Sequence, residues 1–411
     1  MLVLAGLLQR GFGFLASLAL ARQAGLDAVG LYTGLQISSN SPTSPLSAPL
    51  ANSATLVATE HRGEASMQDL VRAHFTALFA TAGFAALGSA GLMWWSVSQT
   101  SAWQQWPRWL PLLFVVLLSI STVGGQLMAG LLHGVNRSLP LAQVTMACTL
   151  LGVLLCWPVA SLGGMLGALS LSTAVVALPG LVLGCWAWSQ KGQGSHSPRL
   201  LRQAVASRMW LALPNVASTL IRNGVNWYCC IYLAQKYHGP AGVGLVTIGL
   251  QWMMLMQLPT LAWGGRMVAD MGQAQQISHA SLRQAMLAWL RKCIGSTAAI
   301  GVLVACGSSL ISQLYQLQDT PLPWVLMANA LVSALLAGTF VLERVYFCQA
   351  RQRAWFVLSV LGDATQLALT LYLARYSVLV VSLGSLSSAL LVFAGGQWML
   401  RRHHQPIASQ S

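Results

Sequence analysis

Residues 2–21 read LVLAGLLQRGFGFLASLALA, and residues 211–234 read LALPNVASTLIRNGVNWYCCIYLA. Each stretch is long and apolar enough to cross a bilayer, which requires about 20 such residues. Each also carries one arginine near its middle, Arg10 in the first and Arg222 in the second. These two segments decide the class of fold, because an apolar run of this length with a single central cation is typical of a membrane helix that faces a cavity.

Each arginine is followed by a further pair of related segments. Residues 20–36 read LARQAGLDAVGLYTGLQ, and residues 233–251 read LAQKYHGPAGVGLVTIGLQ. The pattern indicates an internal duplication, with one intramembrane guanidinium in the first span of each half. Because a cation at mid-bilayer is costly and usually faces water or an anionic ligand, the pair predicts a central cavity that receives negative charge.

The composition is that of a multi-pass α-helical membrane protein. Hydrophobic residues make up 55% of the 411-residue chain and charged residues only 7%, whereas soluble domains average about 25% charged residues. The apolar segments predict an all-α polytopic membrane protein with about 12 transmembrane helices in two six-helix bundles. The predicted spans are residues 1–21, 29–58, 71–97, 109–132, 139–157, 161–188, 209–235, 241–268, 293–315, 323–348, 355–374 and 376–400.

The formal net charge of +14 is distributed unevenly between the predicted connections. With both termini cytoplasmic, the inner connections carry Arg62, Arg72, Arg137, Lys191, Arg199, Arg202, Arg208, Arg283, Arg291, Lys292, Arg351, Arg353, Arg401 and Arg402. The outer connections carry only Arg22, Arg108, Lys236 and Arg375. This positive-inside bias predicts cytoplasmic termini, and it explains the basic charge without nucleic-acid binding.

The longest polar connection divides the chain near its middle. Residues 191–203 read KGQGSHSPRLLRQ, which is typical of a cytoplasmic linker. The predicted parts are an N-terminal six-helix bundle (1–188), a linker (189–208), a C-terminal six-helix bundle (209–400) and a cytoplasmic tail (401–411). Six spans per half orient both halves alike, so their symmetry axis is expected along the membrane normal. Amphipathic residues 65–75 and 278–292 are expected to lie along the inner membrane surface.

The second span has an unusual composition for a membrane helix. Residues 38–55 read SSNSPTSPLSAPLANSAT, with prolines at 42, 45 and 49 that each remove a helix hydrogen bond. Broken, polar backbone at membrane depth is tolerated where it is buried in protein or lines water. We therefore expect a bent cavity wall here, with an extended loop as the alternative. The polar residues recurring every three or four positions are Thr33, Gln36, Asn40, Ser44 and Ser47.

Several classes of function are disfavoured by what the sequence lacks. It has no GxxxxGK[ST] phosphate-binding loop, no HExxH motif and no GxSxG motif. The predicted outer loops are short, and the chain has only 8 Asp and Glu residues for acid–base chemistry. Its eight cysteines form no CxxC pair and are expected to pack as small core residues. We therefore expect no enzyme activity, no catalytic residue, no cofactor and no metal site.

The candidate substrate-binding residues are arginines and amides in or beside the spans. Arg10 and Arg222 suit a pyrophosphate, because a guanidinium stays charged when desolvated and binds phosphate oxygens through two parallel bonds. The alternative is a structural role for either arginine in binding backbone carbonyls. Arg266 is a weaker third cation. The amides Gln36, Asn40 and Gln251 complete the predicted set, with interhelical hydrogen bonding as their alternative role.

Two carboxylates are candidates for coupling transport to a cation gradient. Asp363 lies about two turns into the eleventh span, where a carboxylate can bind and release a proton or accept an ion. Holding an arginine is its alternative role. Glu343 precedes Arg344 and lies eight residues before Arg351, so a local ion pair at the inner surface is the alternative for this residue.

Parts of both halves resemble the lipid-linked oligosaccharide flippases of the MOP exporter superfamily, which translocate O-antigen and other polysaccharide precursors. The resemblance is carried by residues 20–36, with Gly30 and Tyr32 of that family's Gly-x-Tyr pattern. It continues in residues 51–64 (ANSATLVATEHRGE) and 342–373 (LERVYFCQARQRAWFVLSVLGDATQLALTLYL). It implies a MATE/MOP-like fold of two helical bundles that work by alternating access.

The resemblance also implies a function and its partners. The chain would be a bacterial inner-membrane flippase for a polyprenyl-pyrophosphate-linked oligosaccharide, whose pyrophosphate would meet Arg10 and Arg222. Membrane lipids, a proton or sodium ion, and a polysaccharide polymerase are the further partners expected. One alternative is a cation-coupled multidrug exporter of the same superfamily. Another is a membrane glycan polymerase or ligase, against which the short outer loops argue.

Overall fold

The computed structural model describes residues 2–61, 65–99, 106–190, 198–349 and 351–403. Within these ranges every regular element is a helix. The helices are α1 (Leu2–Glu60), α2 (Met67–Gln99), α3 (Trp109–Gly134), α4 (Ser138–Ser189), α5 (Pro198–Trp227), a π-helical turn (Tyr228–Leu233), α6 (Ala234–Met256), α7 (Leu258–Ala262), α8 (Gly264–Ile277), α9 (His279–Cys306), α10 (Ser308–Tyr315), α11 (Leu322–Cys348), α12 (Gln352–Leu373) and α13 (Leu379–His403).

Nine helical stretches in the described part of the chain are long and apolar enough to cross a membrane. Three of them, of 50, 51 and 38 residues, are longer than one crossing needs. Each of these three contains one glycine with non-helical backbone angles: Gly25, Gly164 and Gly239. A bend at each glycine divides its stretch into two spans, so the nine stretches provide the twelve spans that the hydropathy pattern predicts.

Two of the bends support the predicted duplication. Gly25 has φ 81° and ψ 177°, and Gly239 has φ 68° and ψ −170°. This combination is essentially open to glycine alone. Both glycines lie between the first and second predicted spans of their half, within the related segments 20–36 and 233–251. The related segments 20–36 and 233–251 therefore share one backbone conformation at their glycines.

The second span is a continuous helix, and the alternative of an extended loop is wrong. Non-helical backbone angles within α1 occur only at Gly25, so the helix continues through all three prolines to Glu60. Pro45 has no N–H to donate to the carbonyl of Ser41, four residues earlier. That carbonyl instead accepts a 3.0 Å hydrogen bond from Nδ2 of Asn223 in α5. A side chain from a neighbouring helix thus replaces the bond that the proline removes.

Two further hydrogen bonds attach α5 to α1 at the same place. Ser41 Oγ donates to the carbonyl of Asn223 at 2.8 Å, and Trp227 Nε1 donates to Ser38 Oγ at 2.7 Å. Trp227 is buried, with only 1% of its surface exposed. It is therefore a structural residue and not a surface on which a ligand ring can stack.

Replacing Asn223 with alanine should destabilise the protein by about 1–2 kcal/mol, because the carbonyl of the buried Ser41 loses its hydrogen-bond partner. Thermal unfolding in detergent measures this effect. Gln203→Ala is the matched control, because Gln203 is an exposed amide on the same helix. Equal unfolding temperatures for the two variants would show that the Asn223 bonds contribute nothing.

The described residues form two compact units. The first comprises Met1–Trp227 with Gly239–Gly244, and the second comprises Tyr228–His238 with Leu245–Ser411. Of the predicted linker, residues 191–197 lie outside the described residues and residues 198–208 begin α5. The proposed bundle boundary at 189–208 stays a prediction. The chain first passes from the first compact unit to the second after Trp227.

The two amphipathic stretches form the first turns of long helices, α2 and α9. Ser66 Oγ accepts from the backbone N–H of Asp69 at 3.2 Å, which caps the start of α2. Ser278 Oγ accepts from the N–H of Ser281 at 3.1 Å and caps α9 in the same way. Each helix then runs without a break from its polar first turns into its apolar span. The expectation that residues 65–75 and 278–292 lie along the inner membrane surface stays a prediction.

Candidate functional site

A cavity of about 170 Å³ lies among the membrane helices of the first unit. Both arms of α1 contribute to it, on either side of the bend at Gly25, and α3 and α4 complete the wall. The lining residues are Phe12, Gly13, Gln36, Ser39, Asn40, Leu118, Thr122, Ser172, Val175 and Val176. The bend is what allows one helix to supply two walls of the same cavity.

Buried hydroxyl groups fix the positions of the walls. Ser39 of α1 contacts Ser119 of α3, with 3.0 Å between the two Oγ atoms. Ser119 Oγ also donates to Ser89 Oγ of α2 at 2.9 Å, and Ser89 Oγ donates to the Ser39 carbonyl at 3.1 Å. The serines thus join three helices through a closed set of hydrogen bonds. A network whose members are all satisfied rigidifies the surrounding packing.

A second contact joins α1 to α4 at the edge of the cavity. The hydroxyl of Tyr32, which is fully buried, lies 2.5 Å from Oγ of Ser172, a lining residue. Tyr32 is the aromatic position of the Gly-x-Tyr pattern, and the structure gives it a positioning role. Tyr32 therefore fixes the position of the Ser172 hydroxyl, and Ser172 lines the cavity.

The lining has a definite chemical character. Its polar groups are two amides and three hydroxyls, and its apolar groups are one phenyl ring and aliphatic side chains. Carboxylates and cations are absent from the described lining. Amides and hydroxyls both donate and accept hydrogen bonds. The cavity can therefore bind a neutral molecule, or a neutral part of one, that combines an apolar ring with hydrogen-bonding substituents.

Two of the predicted binding residues meet in this cavity. Gln36 and Asn40 are one turn apart on α1, half-buried and exposed respectively, and both line the wall. Arg222 has an exposed side chain on α5, next to the Asn223 that bonds to Ser41. Gln251 is half-buried on α6 in the second unit. The side chains of the remaining two candidates, Arg10 and Arg266, lie outside the described residues.

Asp363, the first coupling candidate, is buried in the second unit. It lies on α12 with 8% of its surface exposed, close to Cys229 of the π-helical turn. Cys229 also interacts with Thr370 on α12, and Gln366 Nε2 donates to Ser385 Oγ of α13 at 3.2 Å. The residue pattern pointed to Asp363 but not to this surrounding group. Cysteine and threonine in apolar spans carry no signal of their own, because such residues usually only pack.

The second coupling candidate, Glu343, is half-buried on α11. The neighbouring guanidinium of Arg344 lies over the Phe340 ring at 4.5 Å from its centroid. Among the described residues, the ion pair shown is Arg208 with Glu60, and Glu343 has no such partner. The expected local ion pair of Glu343 is therefore not formed in the described part of the chain.

Several solved structures share this fold. The inward-facing conformation of a multidrug resistance MATE family transporter of the MOP superfamily matches with a TM-score of 0.77 at 15% identity, over 97% of this chain and 96% of that one. The outward-facing conformation of a multidrug resistance MATE family transporter matches with a TM-score of 0.64 at 14% identity, over 98% and 95%. No protein-family model matches the sequence, and no curated protein matches it significantly.

A third solved structure is a MOP superfamily transporter from Pyrococcus furiosus. It matches with a TM-score of 0.67 at 15% identity, over 98% of this chain and 96% of that one. It is described as having a binding pocket of reverse polarity that suggests a different function. Together the similarities confirm the predicted fold class: an all-α polytopic membrane protein with a two-bundle, MATE-like fold. The flippase subfamily remains a prediction.

Proposed function

We propose that this chain is a membrane transporter that exports small amphipathic organic molecules by alternating access. The observation that carries the proposal is the cavity of mixed polar and apolar lining, formed between helices of membrane-spanning length. Solved transporters with this fold are described in inward-facing and outward-facing conformations, and as multidrug resistance proteins. They favour this function over the glycan flippase that the sequence resemblance predicted.

The size and lining of the cavity suggest the substrate class. Pockets that enclose whole drug-sized molecules have volumes of about 300–1,000 Å³, whereas this cavity measures about 170 Å³. It therefore has room for one ring and its substituents. Gln36, Asn40 and Thr122 would bond the substituents, and Phe12 and Leu118 would pack on the ring. The substrate would then be a neutral amphipathic molecule, or one with a neutral end.

A flippase for lipid-linked oligosaccharides is the second candidate, and the two arginines favour it. Arg222 is exposed, and the Asn223–Ser41 bonds fix the backbone beside it. Arg10 is three residues before Gly13, a spacing that puts two positions on one helix face. A guanidinium with an open edge suits pyrophosphate. In this case the protein would lie in a bacterial inner membrane, with cytoplasmic termini and a polysaccharide polymerase as a neighbour.

Asp363 would couple transport to a proton or sodium gradient. A carboxylate buried at membrane depth is a functional candidate by default. Asp363→Asn should therefore reduce gradient-driven substrate accumulation in proteoliposomes to the level of protein-free liposomes. Asp319→Asn is the matched control, because Asp319 is an exposed carboxylate in the connection between α10 and α11. Full gradient dependence in Asp363→Asn would leave this residue with a structural role.

Two expression experiments in living cells distinguish the two candidate functions. In a bacterial host without its own multidrug exporters, expression should raise the concentration of chloramphenicol needed to stop growth. In a host without its own glycan translocase, surface glycan should not return. If the unmodified protein restores surface glycan, and both Arg10→Ala and Arg222→Ala fail to restore it, the exporter function would be overturned and the flippase function established. Loss of one phosphate-binding charge should cost about 2–5 kcal/mol, and Arg→Lys should rescue only in part.

A further inference from the structure

Two arginines at one end of the first unit lie over tryptophan rings of the same helix. The Arg72 guanidinium carbon lies 5.3 Å from the centroid of the Trp188 ring, and that of Arg137 lies 5.7 Å from the Trp186 ring. Arg72 belongs to the first turns of α2, and Arg137 immediately precedes α4. The end of α4 therefore carries a guanidinium over each of two tryptophan rings.

The surrounding helix ends add positive charge that nearby carboxylates leave unbalanced. The described arginines at this end are Arg72, Arg137, Arg199, Arg202 and Arg208. The two carboxylates described here, Glu60 and Asp69, are fewer than these five arginines, and Glu60 already pairs with Arg208. Leu201 of α5 packs in the same core cluster as Met67 and Ala187, which places the start of α5 here as well. We call this group of helix ends the basic end of the first unit.

The other end of the same helices provides a comparison within the unit. Arg108 directly precedes α3, and Arg137 follows its last residue by three positions. A helix of 26 residues is about 39 Å long, so these two arginines are separated by roughly the thickness of a bilayer. Arg108 is exposed, and no described ring lies under it. Arg108 is therefore a suitable control residue, an arginine that lies outside the basic end.

We propose that the basic end binds the phosphate headgroups of anionic phospholipids through Arg72 and Arg137. Tryptophan rings prefer the level of the headgroups, where they anchor helix ends. A guanidinium stacked on an indole keeps its N–H edge free for two parallel bonds to a phosphate. Anionic lipids are attracted to clusters of basic residues beside membrane helices. The site is independent of the transported substrate, so it holds whether the protein is an exporter or a flippase.

The contacts between the arginines and the tryptophan rings distinguish a lipid-binding site from positive charge that only orients the protein in the membrane. Orientation in the membrane requires only positive charge at the inner ends of the helices, and lysine supplies that charge equally well. A planar guanidinium held over a tryptophan ring is a specific arrangement that membrane orientation does not require. The binding of phosphate should therefore depend on arginine itself and not on charge alone.

Native mass spectrometry of the detergent-purified protein tests the proposal, with phosphatidylglycerol as the probe and phosphatidylcholine as its zwitterionic counterpart. Phosphatidylglycerol should bind more tightly. A basic residue beside an anionic surface contributes about 1 kcal/mol, so Arg72→Gln with Arg137→Gln should weaken phosphatidylglycerol binding about thirtyfold. Phosphatidylcholine binding should not change, and Arg108→Gln should leave both affinities as they are.

Three results would overturn the site. Equal affinity for the two lipids would remove the preference for anionic headgroups. Unchanged phosphatidylglycerol binding in the double glutamine variant would exclude the two arginines. If that variant does not fold, Arg72→Lys with Arg137→Lys carries the test, and full affinity in the lysine pair would contradict the role of the stacked guanidinium. Partial loss in the lysine pair supports it.

Discussion

Replacing Gly30 with alanine is expected to destabilise the folded protein strongly. A Cβ at this position would lie 1.8 Å from the carbonyl oxygen of Pro240 and 3.0 Å from the backbone nitrogen of Gly244. Rotation of a side chain cannot relieve a contact between Cβ and backbone, so the two chain segments would have to separate. Overpacking commonly costs 1–3 kcal/mol, and we expect about 3 kcal/mol here, at the upper end of that range. Thermal unfolding and the yield of monodisperse protein measure the loss.

Gly91→Ala is the control for this effect. Gly91 is exposed within α2, and a Cβ there would meet no atom within 4 Å. Alanine is the better helix former by about 1 kcal/mol, so this variant should be neutral or more stable. A Gly30→Ala protein as stable as Gly91→Ala would mean that α1 and α6 do not approach each other as the structure shows.

Replacing both Gln36 and Asn40 with leucine is expected to abolish most transport without unfolding the protein. Both amides line the cavity, and leucine has no hydrogen-bonding group in its side chain. Each lost hydrogen bond to a substrate should cost about 0.5–1.5 kcal/mol, so the pair should weaken binding roughly five- to 150-fold. Transport of radiolabelled chloramphenicol in proteoliposomes, over a range of concentrations, measures the change.

Gln143→Leu controls for the loss of an amide within a span. Gln143 is exposed on α4 and is not part of the cavity lining. Its transport should equal that of the unmodified protein. If the double leucine variant transports with unchanged affinity, these two residues do not bind substrate and their alternative role in helix packing stands.

The spans could be predicted from the sequence because apolar length is a strong signal in a membrane protein. The bends near Gly25 and Gly239 fall where the hydropathy pattern divides the long stretches. The outcome at the prolines could not be predicted in the same way. Pro45 removes one hydrogen bond, and whether the helix breaks depends on a partner from elsewhere in the chain. That partner, Asn223, is distant in sequence, and nothing in its local pattern indicates the contact.

The candidate site was predictable to a similar degree. The three- and four-residue spacing of polar groups placed Gln36 and Asn40 on one face, and both line the cavity. The same spacing also selected Thr33, Ser44 and Ser47, which are outside the lining, because periodicity identifies a face without showing how far a cavity extends. Ser172 belongs to a distant span. Its place in the lining depends on how α1 packs on α4, which no local pattern encodes.

Substrate uptake into proteoliposomes is the most direct test of whether this protein transports small amphipathic molecules. The purified protein is reconstituted, a proton or sodium gradient is imposed, and radiolabelled chloramphenicol accumulation is compared with that in protein-free liposomes. We expect accumulation that depends on the gradient and is lost in the variant with leucine at positions 36 and 40. Accumulation equal to protein-free liposomes, together with translocation of a polyprenyl-pyrophosphate-linked glycan by the same preparation, would contradict the exporter and identify a flippase.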